Sequence, residues 1–343
     1  MVRPWRGKAA AGVLAAAVGA AVLCGAGRAQ AGAAVRLREA HTGTLFVAPV
    51  FLAQALGYFA DEGLQVELVE MESGQLATTA LVAGEVHVTD ADPFQLVQLQ
   101  RQGQRVFFFY NLANRVTLDF VMRTAVADRL GVSRQDPLER RLAALRGLRL
   151  GITRPGAATD QYTRYYVRRA GMDPDRDVQI VTVGGGAALL AAMRTGQIDG
   201  FMLSPPTPGI AEAEGIGRIL IKSSEGDVPE FANFLYTAMA TTERFARGNE
   251  EVLRRYVRAL NRANAFLRSN FDQAVARLAP YYSSQATAQL AQTLRQLLPA
   301  LSADGVITEE SMRNHLTFLY SERIIPAPFT AEEGVLWTSR YLR

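Results

Sequence analysis

Cysteine is almost absent from this sequence of 343 residues, and the single one, Cys24, lies near the amino terminus. The chain beyond it therefore has no disulfide, no thiolate zinc cluster, no iron–sulfur centre and no catalytic thiol. Histidine is nearly as scarce, with three residues. His41 follows a predicted strand, whereas His87 and His315 lie inside separate predicted elements. We therefore expect no metal site.

Motifs that carry common enzyme chemistry are also missing. The sequence contains no Gly-x-Ser-x-Gly elbow and no His-Glu-x-x-His pair, which argues against the corresponding hydrolases. Gly184-Gly185-Gly186 is not followed by Gly-Lys-Ser or Gly-Lys-Thr, so we interpret it as a tight turn at the edge of a cleft and not as a phosphate loop. We expect no catalytic residue and no cofactor.

An excess of positive charge is confined to one end of the chain. Lysine and arginine number 37 and aspartate and glutamate 33, but residues 1–31 hold four of the basic residues and no acid. The remainder is formally neutral, so we expect no nucleic-acid partner. A basic start, an uncharged run over residues 9–27 and Ala29-Gln30-Ala31 are typical of a secretory signal peptide. We expect cleavage after Ala31 and a soluble protein in the periplasm.

Two other interpretations of residues 1–31 stay open. The uncharged run is about long enough to span a membrane, which would make it an uncleaved anchor. Cys24 would instead carry a lipid if the protein were a lipoprotein, although Leu23 stands where a small residue is expected. Beyond this segment no apolar window approaches the length of a transmembrane helix.

The remaining chain alternates between strand-like runs and stretches with helical spacing, which predicts an α/β fold with mostly parallel sheets. Strands are predicted at residues 35–40, 66–69, 86–89, 106–110, 118–123, 148–153, 178–183, 198–203, 219–222 and 235–241. Helices are predicted at residues 49–59, 75–83, 94–102, 160–170 and 187–195. Five amphipathic helices are predicted to follow, at residues 250–267, 272–279, 286–298, 309–320 and 331–342.

The order of these elements repeats. When the chain is superposed on itself at an offset of 112 residues, Gly84 falls on Gly196. Pro93, which starts the next loop, falls on Pro205. A helix, a glycine cap, a strand and a proline-started loop thus recur in the same order, which predicts two similar α/β lobes.

Residues 48–64 (APVFLAQALGYFADEGL) combine an apolar helix, Gly-Tyr-Phe, an acidic pair and Gly-Leu. They resemble the early signature of the solute-binding proteins of ABC importers, in the branch for aliphatic sulfonates, taurine, nitrate and thiamine-precursor pyrimidines. The resemblance runs from about residue 35 to 279. It is supported by Ser73-Gly74, Gly84-Glu85-Val86 and Gly196-Gln197-Ile198-Asp199.

This resemblance implies a type II-like periplasmic binding protein whose two lobes close on a solute by a hinge motion. Residues 118–123 and 235–241 are the expected crossing strands. The implied division is a signal peptide (1–31), a first part of lobe 1 (32–120), lobe 2 (121–234) and a return strand with C-terminal helices (235–343). The implied partners are a membrane permease and an ATPase, with the binding protein itself a monomer.

Polar loops follow the predicted strands, where ligands gather in parallel α/β sheets. The expected binding residues are His41, Thr42, Thr44, Phe46, Gln75, Asp92, Tyr110, Thr153, Gly156, Ala158, Thr159 and Ser204. Each loop is equally compatible with ordinary helix capping, because Ser, Thr and Asp satisfy free amides at helix starts. His41 is similarly compatible with a solvated loop residue.

Three functions are compatible with these residues. A small organic anion such as an aliphatic sulfonate is favoured, because Thr153, Thr159 and the neighbouring amides suit an oxyanion. A thiamine-precursor pyrimidine or another small heteroaromatic would instead depend on Asp92, Phe46 and Tyr110. An enzyme similar to a pyrimidine synthase is disfavoured, since that activity relies on a cysteine-rich motif.

Overall fold

The computed structural model of the protein describes residues 34–342. The predicted signal peptide, its cleavage site and Cys24 lie outside the described residues. Within residues 34–342, no helix is long and apolar enough to cross a membrane.

Ten β-strands in the described chain form two sheets of five. They are β1 (Val35–His41), β2 (Leu64–Glu70), β3 (Val88–Ala91), β4 (Val106–Ala113), β5 (Asp119–Arg123), β6 (Arg149–Ile152), β7 (Gln179–Thr182), β8 (Gly200–Leu203), β9 (Gly217–Lys222) and β10 (Thr237–Thr242). The strand orders are β2-β1-β3-β10-β4 and β7-β6-β8-β5-β9. In each sheet one strand, β10 or β5, runs antiparallel to both neighbours. The prediction of mostly parallel sheets in an α/β fold is confirmed.

Fourteen α-helices accompany these strands in the same residues. They are α1 (Ala48–Ala55), α2 (Tyr58–Asp61), α3 (Gly74–Ala83), α4 (Pro93–Arg101), α5 (Thr124–Leu130), α6 (Leu138–Ala143), α7 (Ala158–Arg169), α8 (Gly186–Arg194), α9 (Thr207–Ala213), α10 (Glu243–Ala246), α11 (Glu250–Ser269), α12 (Phe271–Leu278), α13 (Thr287–Leu297) and α14 (Glu309–Ser321). The single helix predicted over residues 49–59 is wrong. Gly57 adopts φ 74°, a left-handed conformation that ends α1 before α2 begins.

The two sheets define two lobes of the same design, which confirms the repeat. Strands β3 and β8 and the starts of helices α3 and α8 are each 112 residues apart. Each of these helices is followed by a glycine in the left-handed conformation, Gly84 at φ 82° and Gly196 at φ 72°. Such a glycine ends a helix without the steric penalty of a Cβ atom.

The chain passes between the lobes twice, over residues 114–118 and 223–236. The expected crossing strands are β5 and β10, and each lies inside a sheet directly after a crossing segment. Three hydroxyl groups connect the crossings: the Thr117 and Ser204 oxygens are 2.7 Å apart, and the Ser204 and Tyr236 oxygens 3.4 Å apart. The lobe boundaries given above stay a prediction.

The C-terminal helices pack on both lobes. Tyr256 of α11 is fully buried against the first sheet, stacks on Phe59 with ring centroids 5.1 Å apart, and donates a 2.5 Å hydrogen bond to Glu39 Oε2. On the second lobe, Phe318 of α14 stacks on Tyr162 of α7 at 5.5 Å. These helices therefore contribute to the core as well as to the surface.

The helix predicted at residues 331–342 is not formed. The segment instead runs beside β4: the Phe108 amide donates to Leu336 O (2.8 Å), and the Thr338 amide donates to Phe108 O (2.9 Å). Trp337, 6% exposed, packs into the core. Because β4 is the edge strand of its sheet, these bonds satisfy backbone groups that would otherwise be unpaired.

Candidate functional site

A cavity of about 510 Å³ lies between the two lobes, where loops at the ends of strands from both sheets meet. This volume is within the usual range for small-molecule sites. Its lining residues are Thr42, Thr44, Phe46, Glu70, Met71, Glu72, Ser73, Gly74, Asp90, Ala91, Asp92, Gln95, Leu118, Thr153, Ala157, Ala158, Thr159, Gly185, Gly186, Ala187, Ala188, Leu203, Ser204, Tyr236 and Thr237.

Four helices begin at this cavity, and the two lobes cap them differently. In the first lobe the Ser73 hydroxyl caps α3 by accepting from the Leu76 amide, and Asp92 caps α4 by accepting from the Gln95 amide. In the second lobe α7 and α8 start after Ala157 and Gly185, and neither helix receives a side-chain cap. The second lobe therefore presents uncapped amide groups and the positive ends of two helix dipoles.

Two buried hydroxyl groups stand beside these amides. Thr153 follows β6, and its amide donates to Thr159 Oγ1 at 3.0 Å. The two threonine hydroxyl oxygens are 2.8 Å apart, and both residues are 4% exposed. This pair fixes the loop to the first turn of α7. Since a hydroxyl group both donates and accepts, it also offers polar contacts to a solute.

Aromatic and hydroxyl groups form the floor of the cavity. Tyr236 lies on the second crossing segment, and its ring meets that of Phe46 edge-on at 6.0 Å. Ser204 lies between the Thr117 and Tyr236 hydroxyls. The Leu45 amide of the first lobe donates to Pro205 O of the second lobe at 2.7 Å. The floor therefore ties both lobes to the crossing segments.

The first-lobe wall is acidic. Glu70, Glu72, Asp90 and Asp92 line the cavity, and the described lining residues include no lysine and no arginine. Burial raises the pKa of Asp90 to about 7 and the pKa of Asp92 to about 6, against the hydrogen bonds that lower both. The second lobe thus favours negative groups and the first lobe favours hydrogen-bond donors or positive groups.

The rim brings the two lobes into contact on one side. Arg154 of the second lobe lies 3.9 Å from Glu72 of the first, although both side chains are about half exposed or more. An exposed pair of this kind is worth at most about 1 kcal/mol. A side chain at Gly185 would meet the Glu72 backbone at 3.6 Å. These contacts mark where the two lobes meet at the rim.

Eight of the twelve expected binding residues line the cavity. They are Thr42, Thr44, Phe46, Asp92, Thr153, Ala158, Thr159 and Ser204. Gln75 and Gly156 lie just outside, facing each other across the rim, with Gln75 Nε2 4.0 Å from the Cβ position at Gly156. Whether any of these residues binds a solute stays a prediction.

The structure places His41 and Tyr110 away from the cavity. His41 Nδ1 accepts from the Gly43 amide at 3.2 Å, and burial lowers the pKa of the imidazole to about 4, so at neutral pH it carries no charge for an anion. The Tyr110 ring is fully buried, and its hydroxyl accepts from Asn264 Nδ2 at 2.6 Å. Tyr110 therefore packs under α11 and does not form the expected aromatic wall.

The sequence-based prediction omitted cavity residues of three kinds. Glu70 and Glu72 flank the end of β2, where alternation predicted a strand but no binding role. Tyr236 ends the second crossing and Thr237 begins β10, and only the fold brings them to the first-lobe loops. Asp90 lies in β3, one residue before its end, so the same strand-end rule would have included it. Across residues 34–342, no three His, Cys, Asp or Glu side chains converge as a metal site.

The strand orders, the two crossings and the interlobe cavity define a two-lobed protein of the periplasmic binding protein fold. The profile of the NMT1-like family matches residues 36–279. The chain therefore belongs to the NMT1-like family, and the resemblance seen in the sequence is confirmed.

Comparisons with individual proteins agree with this assignment. The putative binding protein YtlA of Bacillus subtilis (strain 168) is 22% identical over 231 residues, which are 67% of this chain and 65% of YtlA. The chain thus spans slightly less than two thirds of that relative. A solved structure from Bordetella bronchiseptica RB50 superposes with a TM-score of 0.77 at 23% identity, covering 90% of this chain and 96% of the other. The periplasmic aliphatic sulphonate binding protein SsuA of Escherichia coli superposes at 0.66 with 17% identity, covering 90% and 99%.

Proposed function

We propose that this protein is the extracytoplasmic solute-binding component of an ABC importer and captures a small organic anion, such as an aliphatic sulfonate, without converting it. The observation that carries the proposal is the second-lobe wall of the cavity. Two uncapped helix starts and the Thr153–Thr159 hydroxyl pair converge there. Burying a charge is costly unless donors replace its hydration, and this wall supplies several of them.

Support for a binding role comes from the family and from the named relatives. YtlA is described as a putative binding protein and SsuA as an aliphatic sulphonate binding protein. The oxyanion would sit against the α7 and α8 starts, where amides and helix dipoles favour negative charge. No lysine or arginine is needed for this, since backbone amides and hydroxyls alone hold oxyanions at helix starts.

Capture would occur by closure of the lobes about the two crossing segments. The hydroxyls of Thr117, Ser204 and Tyr236 lie at the point about which the lobes turn. Glu72 and Arg154 already lie 3.9 Å apart in this structure, so that side of the rim would stay in contact while the rest of the cleft closes over the solute. Hinge motion of this kind is a common way to enclose a ligand between domains.

The family resemblance also indicates the partners and the location of the protein. We propose delivery of the solute to a membrane permease driven by an ATPase, a monomeric binding protein, and a periplasmic location reached through the N-terminal signal segment.

A heteroaromatic solute such as a thiamine-precursor pyrimidine is the second candidate. It is favoured by one specific observation, the combination of the buried carboxyl groups of Asp90 and Asp92 with the rings of Phe46 and Tyr236 in the same cavity. Carboxyl groups accept from the amino groups of such a ring, and aromatic side chains pack against its faces. A pyrimidine-synthase-like activity is not favoured, because residues 34–342 contain no cysteine for its motif.

The proposal is tested by a thermal-shift screen of sulfonates, nitrate, carboxylates and aminopyrimidines, followed by isothermal titration calorimetry of each hit. We expect a sulfonate to bind with a Kd of about 1 μM, which corresponds to roughly 8 kcal/mol. The solute recovered after incubation should be chemically unchanged by mass spectrometry. Conversion of the solute would contradict a binding role, and binding of aminopyrimidines alone would select the second candidate.

A further inference from the structure

Helix α14 follows the part of the chain that matches the family, and it is built into the first lobe. The family profile ends at residue 279, well before this helix begins. Met312 and Leu316 lie buried on one side of α14, in the apolar cluster that also holds Phe108 of β4. Apolar packing of this kind fixes a helix to its sheet. We therefore treat α14 as part of the first lobe.

The same helix holds the end of the second crossing segment. The His315 imidazole donates from Nδ1 to Leu235 O at 2.6 Å. The Asn314 side-chain amide donates to Asn233 O at 2.8 Å. The Leu235 amide donates in turn to Ser311 O at 3.1 Å. This end of the crossing segment is therefore bound to α14, so the second lobe turns about a point that precedes it in the chain.

On its other side, α14 contacts the second lobe. The Phe318 ring stacks on Tyr162 of α7 with centroids 5.5 Å apart, and it meets Tyr165 of the same helix edge-on at 4.9 Å. Glu322, which follows α14, lies 3.4 Å from Arg168 near the end of α7. These five residues form the α14–α7 contact. It joins the two lobes directly, in addition to the crossing segments.

The α14–α7 contact lies behind the floor of the cavity. Tyr236 lines the cavity, the Tyr162 ring lies behind it at 6.2 Å, and the Phe318 ring lies beyond Tyr162. Phe231 of the second crossing segment packs against both of these inner rings, at 5.4 and 5.5 Å. The crossing segment thus separates the cavity from the contact. A rotation about it that narrows the cavity on one side therefore parts the rings on the other.

We propose that the α14–α7 contact is a brace that opposes closure of the lobes and thereby limits the affinity for the solute. Closure about the crossing segments draws α7 away from Phe318, so the packing of the rings is lost in the closed state. A solute that binds the closed state must offset this loss, and a weaker contact leaves more of the protein competent to bind. The inference rests on the proposed capture by closure and adds the element that resists it.

The test weakens the contact at Phe318 and measures affinity. Phe318→Ala removes the ring, and Phe318→Leu keeps an apolar side chain that cannot stack on Tyr162. We expect the Kd for ethanesulfonate, measured by isothermal titration calorimetry, to fall roughly threefold or more in Phe318→Ala and by less in Phe318→Leu. The leucine variant decides the question if the alanine variant does not fold.

A pair of nitroxide labels reports on the contact itself. Thr317 of α14 and Glu139 of α6 are both exposed, and α6 packs on α7 in the second lobe. Residues 34–342 contain no cysteine, so cysteines introduced at these two positions can be labelled selectively. Double electron–electron resonance should show a longer distance between the labels at saturating ethanesulfonate than without it. Solute-free Phe318→Ala should already populate the longer distances.

Phe245→Ala is the matched control. Phe245 is partly buried like Phe318, but it stacks on His87 within the first lobe, at 4.8 Å. Its removal should leave the Kd and the label distance at their wild-type values. Thermal unfolding establishes that the control and both Phe318 variants fold.

The results that overturn the brace differ from those that overturn anion capture. An unchanged or higher Kd in both Phe318 variants, or a label distance that does not lengthen at saturation, would remove the brace and leave anion capture intact. Failure of ethanesulfonate and of every other sulfonate to bind wild-type protein would remove anion capture. The solute-free label distances would then decide, because wild-type distances in Phe318→Ala would show that the contact does not hold the lobes.

Discussion

Replacing Thr159 by valine tests how the second-lobe wall of the cavity is built. Valine has nearly the same shape, but it removes the oxygen that accepts from the Thr153 amide at 3.0 Å and meets the Thr153 hydroxyl at 2.8 Å. Both residues are 4% exposed, so water does not readily replace the lost partner. A buried donor left unsatisfied costs about 1–3 kcal/mol, and we expect the free energy of unfolding to fall by that amount in urea titrations.

The same change should weaken solute binding. The Thr159 hydroxyl and the loop that it holds both face the cavity, so a sulfonate would lose a donor and meet a less fixed Thr153. A loss of about 1–3 kcal/mol corresponds to roughly a 5- to 150-fold rise in Kd. Isothermal titration calorimetry with the best-binding sulfonate measures this directly.

Thr163 offers a control one turn further along α7. It is 3% exposed, and its hydroxyl has no partner among the described residues, so Thr163→Val removes an oxygen that bonds nothing. We expect Thr163→Val to keep or raise stability and to leave the Kd unchanged. The reasoning would be refuted if Thr159→Val were as stable as wild type, or if both valine variants lost stability equally.

Three further outcomes are expected. Gly305→Ala should destabilise the protein by more than about 1 kcal/mol in urea, because Gly305 has φ 75° and a Cβ atom there would collide with the Tyr110 ring; full stability would contradict this packing. Asp92→Asn should leave sulfonate affinity equal or higher and preserve the cap of α4, since asparagine also caps helices; loss of solute binding in Asp92→Asn, with no effect of Thr159→Val on binding, would favour the pyrimidine. Burial raises the pKa of Glu39 to about 8 and the pKa of Asp119 to about 7. In this pH range the folded state therefore holds protons that the unfolded state has released. The thermal stability of the solute-free protein should fall as the pH rises from about 6.5 to about 8. Glu39→Gln should make the thermal stability depend less on pH, and an unchanged pH dependence would contradict the raised pKa of Glu39.

The order of elements was predictable because burial imposes a period on the sequence. Apolar alternation marks the strands, and glycines such as Gly84 and Gly196 end helices in a conformation that few other residues adopt. The same logic failed at residues 331–342. Their apolar spacing fits a helix, but the segment instead forms backbone hydrogen bonds with Phe108 at the edge of β4. A pairing between residues so far apart in the chain cannot be predicted from the local sequence.

The candidate site was predictable to the level of loops. Ligand-binding loops follow the strands of parallel sheets, and this rule correctly predicted that Thr42, Thr153 and Thr159 line the cavity. It could not say which way a side chain turns, so Tyr110 was assigned to the cavity although its ring lies under α11. Nor could it reveal that the first-lobe wall is acidic, because Glu70 and Tyr236 reach the cavity only when the two lobes are assembled.

Small-angle X-ray scattering of the protein, with and without a saturating sulfonate, tests most directly the claim that two lobes close on a solute. The ligand is the sulfonate that binds most tightly in the calorimetric titrations. Closure about the crossing segments predicts a smaller radius of gyration at saturation, and the Thr159→Val protein should need more ligand to reach it. An unchanged radius of gyration at calorimetrically verified saturation would contradict capture by lobe closure.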